Sequence, residues 1–190
     1  MSTIIDEGSL RFIFPTNWPV IKYDETKFYR QNIIPTASNS KAVDIIAVPN
    51  PELNKILMIE VKDFRGYATE NKHRIISGEL VVEVIQKAMD TLSVLYLANY
   101  CKNNEFANFV TNQLTPPIKI ELVLFMEEDA VTIPQGNDTR SKLRIQNKNK
   151  RIEELTISLR QKLKGTVNIR SKVLNTDRIN ARDGFIVKHI

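Results

Sequence analysis

The chain alternates short apolar runs with longer segments of helical period, and the punctuation between them sets out its elements. "LRFIFP" (10–15) is an apolar run stopped by a proline, and "DETKFYRQNI" (24–33) has helical spacing. "AVDIIAV" (42–48) and "KILMIEVKDF" (55–64) predict two strands joined through "PNPELN", which is rich in turn residues. The clearest helix is 77–101, where Ser77 stands at an N-cap position and Leu80, Val81, Val84, Ile85, Ala88, Leu92, Leu95 and Tyr96 make one apolar stripe. "PPIKIELVLFMEE" (116–128) predicts a buried strand entered by two prolines. "NKNKRIEELTISLRQKLKG" (147–165) predicts a second long helix, acidic near its start and basic near its end. "TVNIRSKVL" (166–174) and "GFIVKHI" (184–190) predict closing strands. Helix, hairpin, helix, strand, helix, strand is the order of an α/β fold with a mixed sheet flanked by helices.

A length of 190 residues suits one domain with a real core, and no internal repeat divides it. A single cysteine, Cys101, leaves no internal disulfide and fits a reducing, cytoplasmic setting. The start "MSTIIDEGSL" carries acids where a secretion signal carries lysines, and no run reaches the ~18 apolar residues of a membrane span. The net charge of +5 is unevenly spread: residues 140–190 hold 14 Lys/Arg against 4 Asp/Glu, whereas residues 1–139 hold 13 against 18. That asymmetry predicts either a polyanionic partner or a solvated basic face.

One strand carries the chemistry. In "ILMIEVKDF" (56–64), Met58, Glu60 and Lys62 share one face, while Leu57, Ile59 and Val61 share the other. Charged groups within so apolar a strand are costly unless paired or functional. If the loop 49–55 is centred on Glu52, facing residues sum to 104, which sets Asp44 opposite Glu60 and Ala42 opposite Lys62. Two carboxylates facing across a hairpin repel unless a positive charge lies between them, and a hard divalent cation such as Mg²⁺ is suited to that place. The other reading is an ion pair of Lys62 with Asp44 or Glu60 at a sheet edge. Two further acid–x–Lys triplets, at Glu25 and Glu70, lie outside apolar strands. Neither a GxGxxG nor a GxxxxGK[ST] phosphate loop occurs, and His73 and His189 give no zinc spacing.

These residues resemble the PD-(D/E)XK nuclease superfamily, with Val43-Asp44 for the first element and Glu60-Val61-Lys62 for the second. The order of elements agrees over roughly residues 20–130, with the basic portion, about 135–190, following in the same single domain. The resemblance implies a restriction-endonuclease-like fold, a mixed central β-sheet flanked by helices. It implies Mg²⁺ or Mn²⁺ held by Asp44, Glu60 and the backbone carbonyl of Val61, with Lys62 assisting the attacking water. The implied reaction is metal-dependent hydrolysis of phosphodiester bonds, most readily in DNA. The proline usual before the Asp is Val43 here, and the last third of the chain matches no motif of the family.

Further positions follow from the same resemblance. Members often carry an extra acid on the helix before the hairpin, and Glu25, with Asp24 behind it, is the candidate; an exposed acid at a helix N-terminus is the plainer reading. In the long helix, Glu83, Gln86, Lys87 and Asp90 form a polar stripe that offers Gln86 and Lys87 to the active site, or a solvated face stitched by a Glu83–Lys87 pair. "RSKLRIQNKNKR" (140–151) holds Arg140, Lys142, Arg144, Lys148, Lys150 and Arg151 among Ser, Gln and Asn, which predicts a mobile loop that orders on phosphates. Asp63 and Arg65 read more simply as a surface pair. The alternative function is a non-catalytic nucleic-acid-binding or assembly protein that keeps the fold; a plain ion-pair network is the third reading. A homodimer would bring two such sites to a duplex.

Overall fold

The computed structural model describes residues 2–49, 54–106, 118–131, 138–165 and 169–190. Among these residues, eight strands form two sheets: β1 (Thr3–Glu7), β2 (Leu10–Phe14), β3 (Val20–Lys22), β4 (Ile45–Ala47), β5 (Lys55–Asp63), β6 (Lys119–Glu127), β7 (Ile169–Leu174) and β8 (Ile186–His189). The larger sheet has the order β3-β4-β5-β6-β7. Its first two pairings are antiparallel and its last two parallel, so the sheet is mixed. The smaller sheet, β1-β2-β8, is antiparallel throughout. The helices are α1 (27–36), α2 (Ala68–Ile76), α3 (Glu79–Tyr100) and α4 (Thr139–Leu163).

Strand parity decides which face meets which layer. Ile46, Met58, Leu122 and Leu124 join Val84, Ala88, Leu95, Ile152 and Leu159 of the long helices in the main core. Ile45, Leu57, Ile59, Val123 and Phe125 pack against Leu10, Phe12 and Phe14 of the small sheet. The molecule is therefore three layers, helices on sheet on sheet, with β5 and β6 buried on both faces. Parallel central strands covered on both sides read as near-continuous apolar runs, as these do. Among the described residues, no helix is long and apolar enough to cross a membrane.

Several elements depart from the pattern of the sequence. The run 10–15 is not a lone strand: Gly8, at φ 57, turns it into a hairpin with Thr3–Glu7, and β8 completes that sheet. The helix at 24–33 divides into a 3₁₀ turn (Tyr23–Glu25) and α1, which holds a π-helical stretch at Tyr29–Ile33. Ser77 closes α2, its N–H donating to the His73 carbonyl, while Gly78 in the left-handed region (φ 80) precedes α3. A Gly in that conformation costs little strain, which lets two helices meet at a sharp corner. The last long helix starts at Thr139 rather than at 147, because the Asp138 carboxylate accepts from the N–H groups of Arg140 and Ser141. Segment 140–151 is thus helix, not loop. Pro116, Pro117 and the centre of the 49–55 loop lie outside the described residues.

Candidate active site

The β4–β5 register has the predicted value: Ile45 faces Ile59, Ile46 faces Met58 and Ala47 faces Leu57. Asp44 lies one step beyond the last pair, at the position that continues toward Glu60. Several bonds fix it there. Its backbone carbonyl accepts from the Tyr23 N–H at 2.8 Å, and its Oδ2 accepts from the Val61 N–H at 2.6 Å. The carboxylate thereby prolongs the ladder after β4 has ended. The preceding residues are clamped to α3, with the Lys41 N–H on Asp90 (2.9 Å) and the Val43 N–H on Thr91 (3.1 Å).

Glu60 has no solvent-exposed side-chain surface. Its Oε1 accepts from Lys87 Nζ at 2.6 Å and from Lys62 Nζ at 2.8 Å, whereas its Oε2 is buried with no hydrogen-bond partner. Lys62 also reaches Glu83 at 2.9 Å, and the other Glu83 oxygen accepts from Arg74 of α2 at 2.5 Å. Lys87 stands 3.8 Å from Asp44, between the two facing carboxylates. The result is a chain of alternating charge from Asp44 through Lys87, Glu60, Lys62 and Glu83 to Arg74. Asp44, Lys62 and Lys87 keep 13–18% of their side-chain surface, so the cluster opens to solvent at one edge.

Burial and crowding of like charge tune these groups. Desolvation, reinforced by the Asp44 charge, pushes the Glu60 carboxyl up to about 7 despite its two lysines. Desolvation also raises Asp44, although Lys87 and the Val61 N–H oppose it. Burial lowers the affinity of Lys62 for its proton, but Glu60 and Glu83 outweigh that and hold it above its ordinary value. Asp24 is pushed up to about 6 by burial and by the charges of Asp44 and Glu7, and its Oδ1 is buried without a partner.

The predicted residues divide accordingly. Asp44, Glu60, Lys62 and Lys87 come together, and the Glu83–Lys87 helix pair gives way to separate bonds from each residue to β5. Glu25 turns outward, paired with Lys22 (3.2 Å) and Arg30 (3.5 Å), so Asp24 is the extra acid that feels Asp44. Gln86 is exposed, about 100° around α3 from Lys87. Glu7 of β1 was not anticipated; only its pairing with the run 10–15, itself unforeseen, brings it near. Asp63 and Arg65 form a tight pair on the opposite face of β5.

The donor set that the cluster offers a hard cation is small. Among the described residues, no three His, Cys, Asp or Glu side chains converge as a cage. Asp44 and Glu60 supply two carboxylates, one with an unpartnered buried oxygen, and Val61, with its backbone carbonyl, follows Glu60 directly in the chain. Mg²⁺ is commonly held by one or two carboxylates while keeping several waters.

The basic segment is a helical face. Arg140, Lys142, Arg144 and Lys150 are exposed on α4, with Lys150 also near Glu154 at 3.7 Å. Arg151 pairs with Glu128 at 2.9 Å. Lys148 does not belong to that surface: it is buried, facing Glu127 at 3.8 Å and Asp177 at 3.4 Å. Between α2 and α4 runs a groove of about 530 Å³ lined by Lys72, Asn147, Lys150 and Arg151 together with Ile75, Ile76, Glu128 and Glu154.

No family model matches the chain. Neither a curated protein nor a solved structure matches it.

Proposed function

We propose that the chain is a metal-dependent nuclease hydrolysing phosphodiester bonds, with DNA as the substrate. The observation that carries this reading is half-buried Asp44, bonded to the Val61 N–H, beside fully buried Glu60, one of whose oxygens has no partner, with Lys62 alongside. A core has no use for such a pair, since each charge raises the other's cost. Asp44, Glu60 and the Val61 carbonyl would hold Mg²⁺ or Mn²⁺, which when bound neutralises charge developing on the phosphate. The chain's own groups do the rest. Lys62 Nζ, held by Glu60 and Glu83, is poised to donate to a phosphate oxygen or to orient the attacking water. Arg74 fixes Glu83 and so fixes Lys62. Arg140, Lys142, Arg144 and Lys150 supply phosphate contacts that set register without reading bases.

A second reading has its own observation. Lys87, 2.6 Å from Glu60, already supplies a positive charge between the carboxylates, as a nucleic-acid-binding protein without catalysis would need. Incubation with supercoiled plasmid and single-stranded DNA in Mg²⁺, Mn²⁺ or EDTA, beside Lys62→Ala, separates the two. Metal-dependent cutting lost in the variant is the expected result. DNA binding without cutting by either protein favours the second reading.

A further inference from the structure

Helix α3 presents an outward face unlike that of an ordinary surface helix. Val82, Met89, Tyr96, Leu97 and Tyr100 are 52%, 36%, 49%, 45% and 85% exposed. Val82, Gln86, Met89, Ser93, Tyr96 and Tyr100 follow one another at alternating steps of four and three, the spacing of a coiled-coil seam. No charged residue falls in that series, which runs about 27 Å along the helix at 1.5 Å per residue. Ser93 is already satisfied, its hydroxyl donating to the Met89 carbonyl at 3.0 Å. By contrast, the exposed positions of α4 are mostly Lys, Arg, Asn and Gln.

We propose that this face is the interface with a second copy of the chain, α3 packing antiparallel on its twofold mate. The spacing is self-complementary in that arrangement. Val82 meets Tyr100, Gln86 meets Tyr96 and Met89 meets Ser93, each layer occurring twice about the axis, as an isologous contact requires. The ends supply charge complementarity. Glu79, at the start of the seam, is 60% exposed, and Lys102, just past its end, is also exposed. Antiparallel packing brings Glu79 of each copy beside Lys102 of the other, whereas parallel packing sets Glu79 against Glu79. The Gln86 amide, lacking a role beside Glu60, finds the Tyr96 hydroxyl of its mate. Glu83 and Lys87 lie about 100–140° around the helix from the seam. On the nuclease reading, to which the interface itself owes nothing, a twofold axis normal to the helix pair leaves both catalytic clusters on one side.

Sedimentation equilibrium of the full chain tests the interface. Wild type is expected at twice the mass of the 21.8 kDa chain, and Met89→Glu, which places carboxylates in the central layers, at the single-chain mass. The circular dichroism of folded Met89→Glu should match wild type, and its melting temperature, unlike that of wild type, should not depend on protein concentration. Glu79→Lys and Lys102→Glu should each weaken the dimer, and the double reversal should restore it. A monomeric wild type, or a dimer indifferent to Met89→Glu, overturns the interface; weakening without rescue overturns the antiparallel pairing. If the chain is monomeric and Met89→Glu instead weakens binding of a single-stranded oligonucleotide, the face belongs to nucleic acid and the second-copy assignment fails.

Discussion

Two carboxylates three residues apart on β5 meet opposite fates. Glu60, on the helix-side face, is pushed up to about 7 by burial and by Asp44, and one of its oxygens has no partner. Asp63, on the small-sheet side, is held down to about 2 by Arg65, which bonds both of its oxygens, with the Ser9 hydroxyl adding a bond of 2.7 Å. Arg65 also meets Ser9 and His189, tying the β1–β2 turn and the end of β8 to the edge of β5. One acid is satisfied and fastens two sheets together; the other is kept short of what it needs. Strand parity alone separates them, and acids that fold does not satisfy are where chemistry is sought.

The largest expected contrast is in rate. Lys62→Ala should cut DNA cleavage by roughly 10²–10⁴-fold, the usual contribution of a positioned proton-transfer group. Arg65→Ala should leave it within a few-fold while lowering the melting temperature. Plasmid-nicking rates and thermal melts on both variants check this, and equal loss of cleavage in the two would erase the distinction between the faces. Stability comes next. Glu60→Ala removes the acid that Lys62 and Lys87 share and leaves Lys62 only Glu83 and Lys87 only Asp44, at a cost of about 3–5 kcal/mol. Asp63→Ala should cost about 1–3 kcal/mol, the loss of charged hydrogen bonds at a half-buried edge. Urea unfolding measures both.

Proton linkage gives the same two acids opposite signs in metal-free protein. The Glu60 value in the folded chain, about 7, lies above its ordinary value, so folding favours the protonated acid. Its contribution is fully present below its ordinary 4.5 and is lost as pH rises through about 7. Asp24 acts in the same direction, between its ordinary 3.8 and about 6. The Asp63 contribution is present above 3.8 and is lost as pH falls through about 2. Melts in EDTA should therefore show stability rising from neutral pH toward the ordinary carboxylate range, then falling in strong acid. Glu60→Gln should flatten the neutral limb and Asp63→Asn the acid one. The smallest effect expected is at α4: Lys150→Ala should reduce the slope of log affinity for DNA against log salt by about 1, while Lys148→Ala, whose ammonium is buried beside Glu127, should lower stability instead.

Much of this was legible in the chain. The hairpin register and the faces of β5 followed from period-two alternation and a loop centre, because an error of one residue would exchange the helix-side and small-sheet-side sets of side chains. Asp44, Glu60 and Lys62 were placed by that arithmetic, whereas Lys87 was offered only by the family resemblance, together with Gln86, which the structure leaves exposed. What stayed hidden depends on tertiary partners. Glu7 approaches Asp44 only because the N-terminal hairpin packs under the main sheet, and nothing local to "TIIDEGSL" announces that. The 3₁₀ turn at Tyr23–Glu25 decides that Asp24, not Glu25, is held against Asp44. The start of α4 was obscured by a run of charged and amide residues with little apolar period, whereas Asp138 three residues before Ser141 was the cap signal that marks it.

The claim that Asp44 and Glu60 form a cation site, rather than an ion-pair network completed by Lys87, is tested most directly by calorimetric titration of the metal-free protein with Mn²⁺ at neutral pH, beside Asp44→Asn. One ion bound per chain, lost in the variant and accompanied by release of protons from the Glu60–Asp24 cluster, is the predicted result. Absence of binding in wild type, or binding undiminished in Asp44→Asn, would contradict it.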